Sequence, residues 1–117
     1  MEATKVVVAV RDFTLRKVLT LWLRDAMPGR DIRAGDSAEK GEVMVTTAID
    51  VSPAEAAELQ LRGTAVVILT PMPRSEERER YGLAGASYVA MSFDGSRALE
   101  SAIEQASVPR VPAKACG

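Results

Sequence analysis

The chain has 117 residues, 47% apolar and 26% charged, with a net charge of −1, no histidine and one cysteine, Cys116. That length suits one domain around one core, and so small a charge gives no broad attraction to nucleic acid or acidic lipid. The missing histidines remove the commonest general base and zinc ligand, and a lone thiol near the C-terminus makes no disulfide within the chain.

No apolar run approaches the roughly 20 residues that span a bilayer, and the N-terminus carries no signal-peptide pattern. A cytoplasmic protein is the expectation. The first element is Lys5-Val6-Val7-Val8-Ala9-Val10, which ends in Arg11-Asp12. Five apolar residues without alternation, four of them valine, read as a strand covered on both faces, at the centre of a parallel sheet. The abrupt charge after it places the strand's carboxyl end at solvent, where open α/β sheets form their sites.

An amphipathic helix is predicted from Thr14, its N-cap, to Ala26, with Leu15, Val18, Leu19, Trp22 and Ala26 as its buried stripe. Leu21 and Leu23 fall off the stripe's centre and are expected to be partly buried. Pro28-Gly29 stops the helix. A short edge strand around Ile32 follows, within residues 31–37, and a second buried strand over residues 42–49. Ser52-Pro53 starts a helix with Glu55 in its first turn, ending at Gly63. Residues 65–70 (Ala-Val-Val-Ile-Leu-Thr) form the next buried strand. Past Pro71-Met72-Pro73, a heavily charged helix runs from Arg74 to about Leu83, and its charge run reads as a solvated face. After Gly85-Ala86 come a strand from Ser87 to Met91 and a last helix capped by Asp94 or Ser96. Ala98, Leu99, Ala102, Ile103 and Ala106 make that helix's buried stripe. Residues 1–106 thus form the domain, and residues 107–117 a tail or the start of a linker.

Alternation of buried strands with helices predicts an α/β, flavodoxin-like sheet of five parallel strands in the order 2-1-3-4-5, with helices on both faces. One departure is visible: residues 37–41 are too few for a helix between the second and third strands, so the second helix is expected to be reduced or missing.

These residues resemble the receiver domain of two-component response regulators, the CheY-like family, over nearly the whole domain. Such domains carry paired acids after the first strand, where this chain has Arg11-Asp12. They carry Thr or Ser after the fourth strand, here Thr70. They then carry Gly-Ala, an aromatic in the fifth strand and Lys-Pro-Phe, here Gly85-Ala86-Ser87-Tyr88-Val89-Ala90-Met91-Ser92-Phe93. The departures are as informative. The resemblance puts Thr47 at the phosphoacceptor position, with Asp50 the nearest carboxylate and the less favoured alternative. Met91 replaces the lysine, and Arg11 replaces the first acid, leaving Asp12 alone as a magnesium donor. One carboxylate beside a guanidinium is a poor site for a hard cation, so neither magnesium nor another cofactor is expected. For Asp12, a capping or loop role and a residual site role stay open. For Thr46 and Thr47 the plain reading is a β-branched strand end.

The resemblance implies a degenerate or pseudo-receiver, a non-enzymatic protein-interaction module signalling without aspartyl phosphate, with Thr70 and Tyr88 at the switch positions. A protein partner or second copy is expected on the helix from Arg74 to Leu83, the strand from Ser87 to Met91 and the last helix. A half-buried strand aromatic is the plain reading of Tyr88. Nucleic acid would be bound only through a domain outside this sequence, as in a transcription regulator. Two other readings remain: a small-ligand-binding α/β domain using the switch-point crevice, and a receiver still phosphorylated on Asp50. No Gly-rich phosphate loop follows any strand, and an enzyme would have to rely on Asp12, Asp50 and the threonines, a thin set.

Overall fold

The computed structural model describes residues 5–91 and 97–107. Its elements are β1 (Lys5–Val8), α1 (Phe13–Ala26), β2 (Asp31–Ala34), β3 (Val43–Thr47), α2 (Pro53–Leu61), β4 (Ala65–Thr70), α3 (Ser75–Leu83), β5 (Ser87–Ala90) and α4 (Arg97–Ser107). The five strands form one parallel sheet in the order β2-β1-β3-β4-β5, as the unalternating valine runs predicted. Two apolar clusters cover its faces. Val6, Val8, Val43, Val45, Val67 and Leu69 pack against α1 and α4, while Met44, Val66, Ile68 and Tyr88 pack against α2 and α3. The period-two alternation of side chains lets a strand such as β4 feed both clusters at once.

Local chemistry sets the element ends. Asp12, not Thr14, caps α1: its Oδ1 accepts the Leu15 N–H at 2.9 Å, and the helix begins at Phe13. The buried stripe of α1 is rotated from the predicted one. Val18 is 55% exposed, whereas Leu23 is fully buried beside Leu19, because the helix sits between β1 and the edge strand β2, with Arg24 Nε donating to the Ile32 carbonyl at 2.7 Å. In α4 the stripe is Leu99, Ala102 and Ile103 with Ala106 at its margin, and Ala98 is exposed. The predicted caps Asp94 and Ser96 lie outside the described residues. Ser52 and Glu55 close a reciprocal capping box at the start of α2, and Gly63 ends that turn at φ +92°, a conformation that suits glycine.

No helix joins β2 to β3. Residues 35–42 connect the two strands as an irregular strap that passes Val7 of β1, so close that a Cβ on Gly35 would stand 3.1 Å from Val7 Cγ1. The strap is pinned along its length. Gly35 N–H donates to the Val8 carbonyl at 3.2 Å, and Gly41 N–H to Gly63 at 2.9 Å. The Thr64 hydroxyl donates to the Glu39 carbonyl at 3.0 Å. Glu42 is buried and accepts from the Glu39 N–H at 2.7 Å and from Arg33 at 3.1 Å. These bonds give the connection the polar partners that an intrahelical ladder would otherwise supply. Among the described residues no helix is long and apolar enough to cross a membrane.

Candidate functional site

The carboxyl ends of β1, β3 and β4 open onto a crevice of about 710 Å³. It brings together six of the seven residues singled out from the sequence: Arg11, Asp12, Thr47, Asp50, Thr70 and Met91. Tyr88 does not line it. The geometry follows from register, since Thr47 ends β3 opposite Leu69 and Thr70 ends β4 opposite Ala90, which stops both strands at one level.

Each hydroxyl and carboxyl in the crevice already has a local partner, and among the described residues the guanidiniums of Arg11 and Arg74 do not. The Thr47 hydroxyl, on a residue only 7% exposed, donates to Asp50 Oδ2 at 2.6 Å, and the Asp50 N–H approaches the Thr47 hydroxyl and carbonyl oxygens at 3.2 and 3.1 Å. These bonds close the turn between β3 and α2, so Asp50 stands beyond the strand end rather than on it. Thr46, fully buried, donates its hydroxyl to the Ala9 carbonyl at 2.7 Å and ties β3 to the end of β1. Asp12 is committed to its cap. Thr70 braces its own loop, its hydroxyl lying 3.3 Å from both the N–H and the carbonyl oxygen of Met72. Met91 packs against the cluster beneath α1 and α4, its N–H donating to the Thr70 carbonyl at 2.7 Å. Arg11 is exposed and acts through space on Glu55, whose carboxyl is held below its usual range by the Ser52 backbone and side chain first and by Arg11 last.

Tyr88 faces the sheet's other side and is buried rather than half-buried. Its hydroxyl donates to Glu77 Oε1 at 2.6 Å and accepts the Arg74 N–H at 3.2 Å. The Arg78 guanidinium lies 5.1 Å from the centre of its ring and donates to the Tyr88 carbonyl at 3.3 Å. The charge run of α3 is therefore not wholly a solvated face. Glu77, half-buried, and Arg78, itself exposed, hold Tyr88, while Glu76, Glu79 and Arg80 are exposed.

Tyr81 was not anticipated from the sequence. It is buried, stacks on Tyr88 with ring centres 5.7 Å apart, and donates its hydroxyl to the Val51 carbonyl at 2.6 Å, with the Ala48 carbonyl at 3.3 Å. Its pKa is raised, by burial first and then by the charges of Glu77, Tyr88 and Glu55. No spacing in the sequence marks it, since its partners are backbone carbonyls on a distant turn and the ring of Tyr88. Among the described residues no group of three or more acidic or cysteine side chains converges to hold a metal ion.

No protein-family model and no curated protein matches the chain. Among solved structures, the crystal structure of FixJ-N matches it with a TM-score of 0.74 and 20% identity, over 95% of this chain and 100% of that one. At that identity the likeness is one of fold: the five-stranded, CheY-like parallel sheet.

Proposed function

We propose that this domain is an atypical receiver of a two-component-type response regulator, signalling through protein–protein contacts without aspartyl phosphorylation. The observation that carries the reading is the commitment of the crevice's hydroxyl and carboxyl groups. The hydroxyl at the acceptor position braces a turn, the one acid after β1 caps a helix, and a methionine occupies the lysine position. Phosphoryl transfer needs a free nucleophile, a cation and charge neutralisation on one centre, and magnesium needs several hard oxygen donors. Asp12 and Asp50, engaged as they are beside Arg11, do not suit it. No enzymatic role is assigned. The resemblance directs the partner, or a second copy, to the surface of α3, β5 and α4, where Glu77 and Arg78 fix Tyr88. A DNA-directed role would need a domain outside this sequence.

An amide NMR titration with Mg²⁺ and then beryllofluoride, a mimic of aspartyl phosphate, tests this. The expected result is no saturable movement at Asp12, Thr47, Thr70 or Tyr88. Saturable shifts that disappear in Asp50→Asn would overturn it and make Asp50 a working acceptor, a reading favoured by its place on the crevice wall.

A further inference from the structure

The crevice joins an apolar floor to apolar lips. Its floor is the top of the α1–α4 cluster: Val10 and Leu69, with Leu15 and Met91 beside them. Its two lips carry large apolar side chains standing in solvent, Ile49 at 91% exposure on the β3–α2 turn and Met72 at 69% on the β4–α3 loop. About 710 Å³ falls within the ~300–1,000 Å³ of small-molecule sites, which are mostly apolar with a few polar groups that fix orientation. Methionine adapts to irregular ligands and packs well on aromatic rings, and two methionines border this space.

The charged rim defines the polar end of an occupant. Asp12, Asp50 and Glu77 line the crevice, but each already accepts an internal hydrogen bond, from Leu15, Thr47 and Tyr88 respectively. Arg11 and Arg74 also line it, and among the described residues neither guanidinium makes a hydrogen bond or a close ion pair. Each offers five N–H donors in a planar fork suited to a carboxylate or sulfonate. The two guanidiniums are thus the crevice's wholly unpaired charges among the described residues, while each carboxylate has one oxygen engaged and keeps further acceptor sites.

We propose that the switch-point crevice binds a small aromatic acid, its ring against Leu69, Met72 and Met91 and its anionic group toward Arg11 and Arg74. This goes beyond the receiver reading and stands on the crevice alone. The three carboxylates oppose an anion, so affinity rests on the apolar contact and the guanidiniums select the charge.

The probe is 1-anilinonaphthalene-8-sulfonate, with its uncharged analogue N-phenyl-1-naphthylamine as the comparison, added to the folded protein while circular dichroism verifies cooperative melting. The expected result is saturable, one-site fluorescence, weakened about tenfold, or 1.4 kcal/mol, in the pair Ile49→Ser and Met72→Ser. Both side chains are exposed, so the fold does not depend on them. Arg74→Gln should weaken the sulfonate and leave the uncharged analogue unchanged. Absence of saturable binding, or binding indifferent to the serine pair, overturns the site. Equal or tighter binding of the uncharged analogue overturns the choice of an acid. The beryllofluoride titration reads the phosphoryl question separately, so the two proposals fail independently.

Discussion

The Tyr81 hydroxyl bridges α3 to the turn after β3, 2.6 Å from one carbonyl and 3.3 Å from another. Removing it in Tyr81→Phe keeps the ring stacked on Tyr88 but strips the buried Val51 carbonyl of that donor, a cost of about 1–3 kcal/mol. Urea unfolding is the measurement, with the midpoint falling at constant slope. The same hydroxyl sets a pH dependence. Its pKa is raised in the folded chain, so on alkalisation the unfolded chain loses this proton first, near the ordinary value of about 10. The Tyr81 contribution is thus complete below that value and is lost as pH rises through the raised folded value. A stability profile across this range should fall for the native chain and fall less for Tyr81→Phe; identical alkaline limbs would count against it. Such a residue is hard to recognise in a sequence, because a tyrosine in a run of Glu and Arg reads as solvated until the sheet beneath it is in place.

At the scale of elements, the sequence was most legible where one physical cause dominates. Unbroken valine runs specify buried parallel strands, and Ser52-Pro53 with Glu55 specifies a helix start to the residue. Replacing Ser52 by Ala should cost about 0.5–2 kcal/mol. Glu55 is held below its usual pKa chiefly by Ser52, so its contribution is present above the unfolded value and lost as pH falls through the lower folded one. The acid limb of the stability profile should therefore flatten in Glu55→Gln, and only in part in Ser52→Ala, which keeps the backbone N–H that bonds the carboxylate. Thr14 misled because two capping residues stand close together, and Asp12, with its β-region backbone, took the role. Val18 misled because a periodic stripe gives a face's width but not its rotation, which the position of β2 decides. The missing helix was legible from the short connection, but the means of its replacement was not. Glu42 shows why: a charged residue at a strand's start becomes a buried brace only through Arg33 and Glu39. Glu42→Ala removes the charged acceptor shared by the Glu39 N–H and Arg33, a loss of about 1.5–3 kcal/mol, with hydrogen exchange accelerating over residues 35–41 before the sheet opens.

Across the whole molecule, the crevice and the α3–β5 face meet through Glu77 and Arg74, which line the crevice and bond the Tyr88 hydroxyl, and through one aromatic pair. The turn that Thr47 and Asp50 close includes Ala48 and leads into Val51; these carbonyls face the Tyr81 hydroxyl, and Tyr81 stacks on Tyr88. Thr70 is not on this route, since it is bound into its own loop, whereas Tyr88 ends the route and is held by Glu77 and Arg78. Coupling between two sites requires an element with two arrangements that both can bias, and the held phenol of Tyr88 is the element placed to be one. Glu77→Ala removes the charged acceptor of that phenol, a loss of about 1.5–3 kcal/mol, and should let the ring leave its pocket. The readout is amide NMR of the variant against Glu79→Ala, which changes an exposed acid on the same helix. Shifts in Glu77→Ala should extend from β5 through Tyr81 to Ala48, Asp50 and Val51, with Glu79→Ala silent there. A response confined to α3 and β5 would mean that the stacked pair packs the core without carrying a state. The same Glu77→Ala experiment in a Tyr81→Leu background should then shorten the response to β5, because the ring contact and the hydroxyl bridge are both gone.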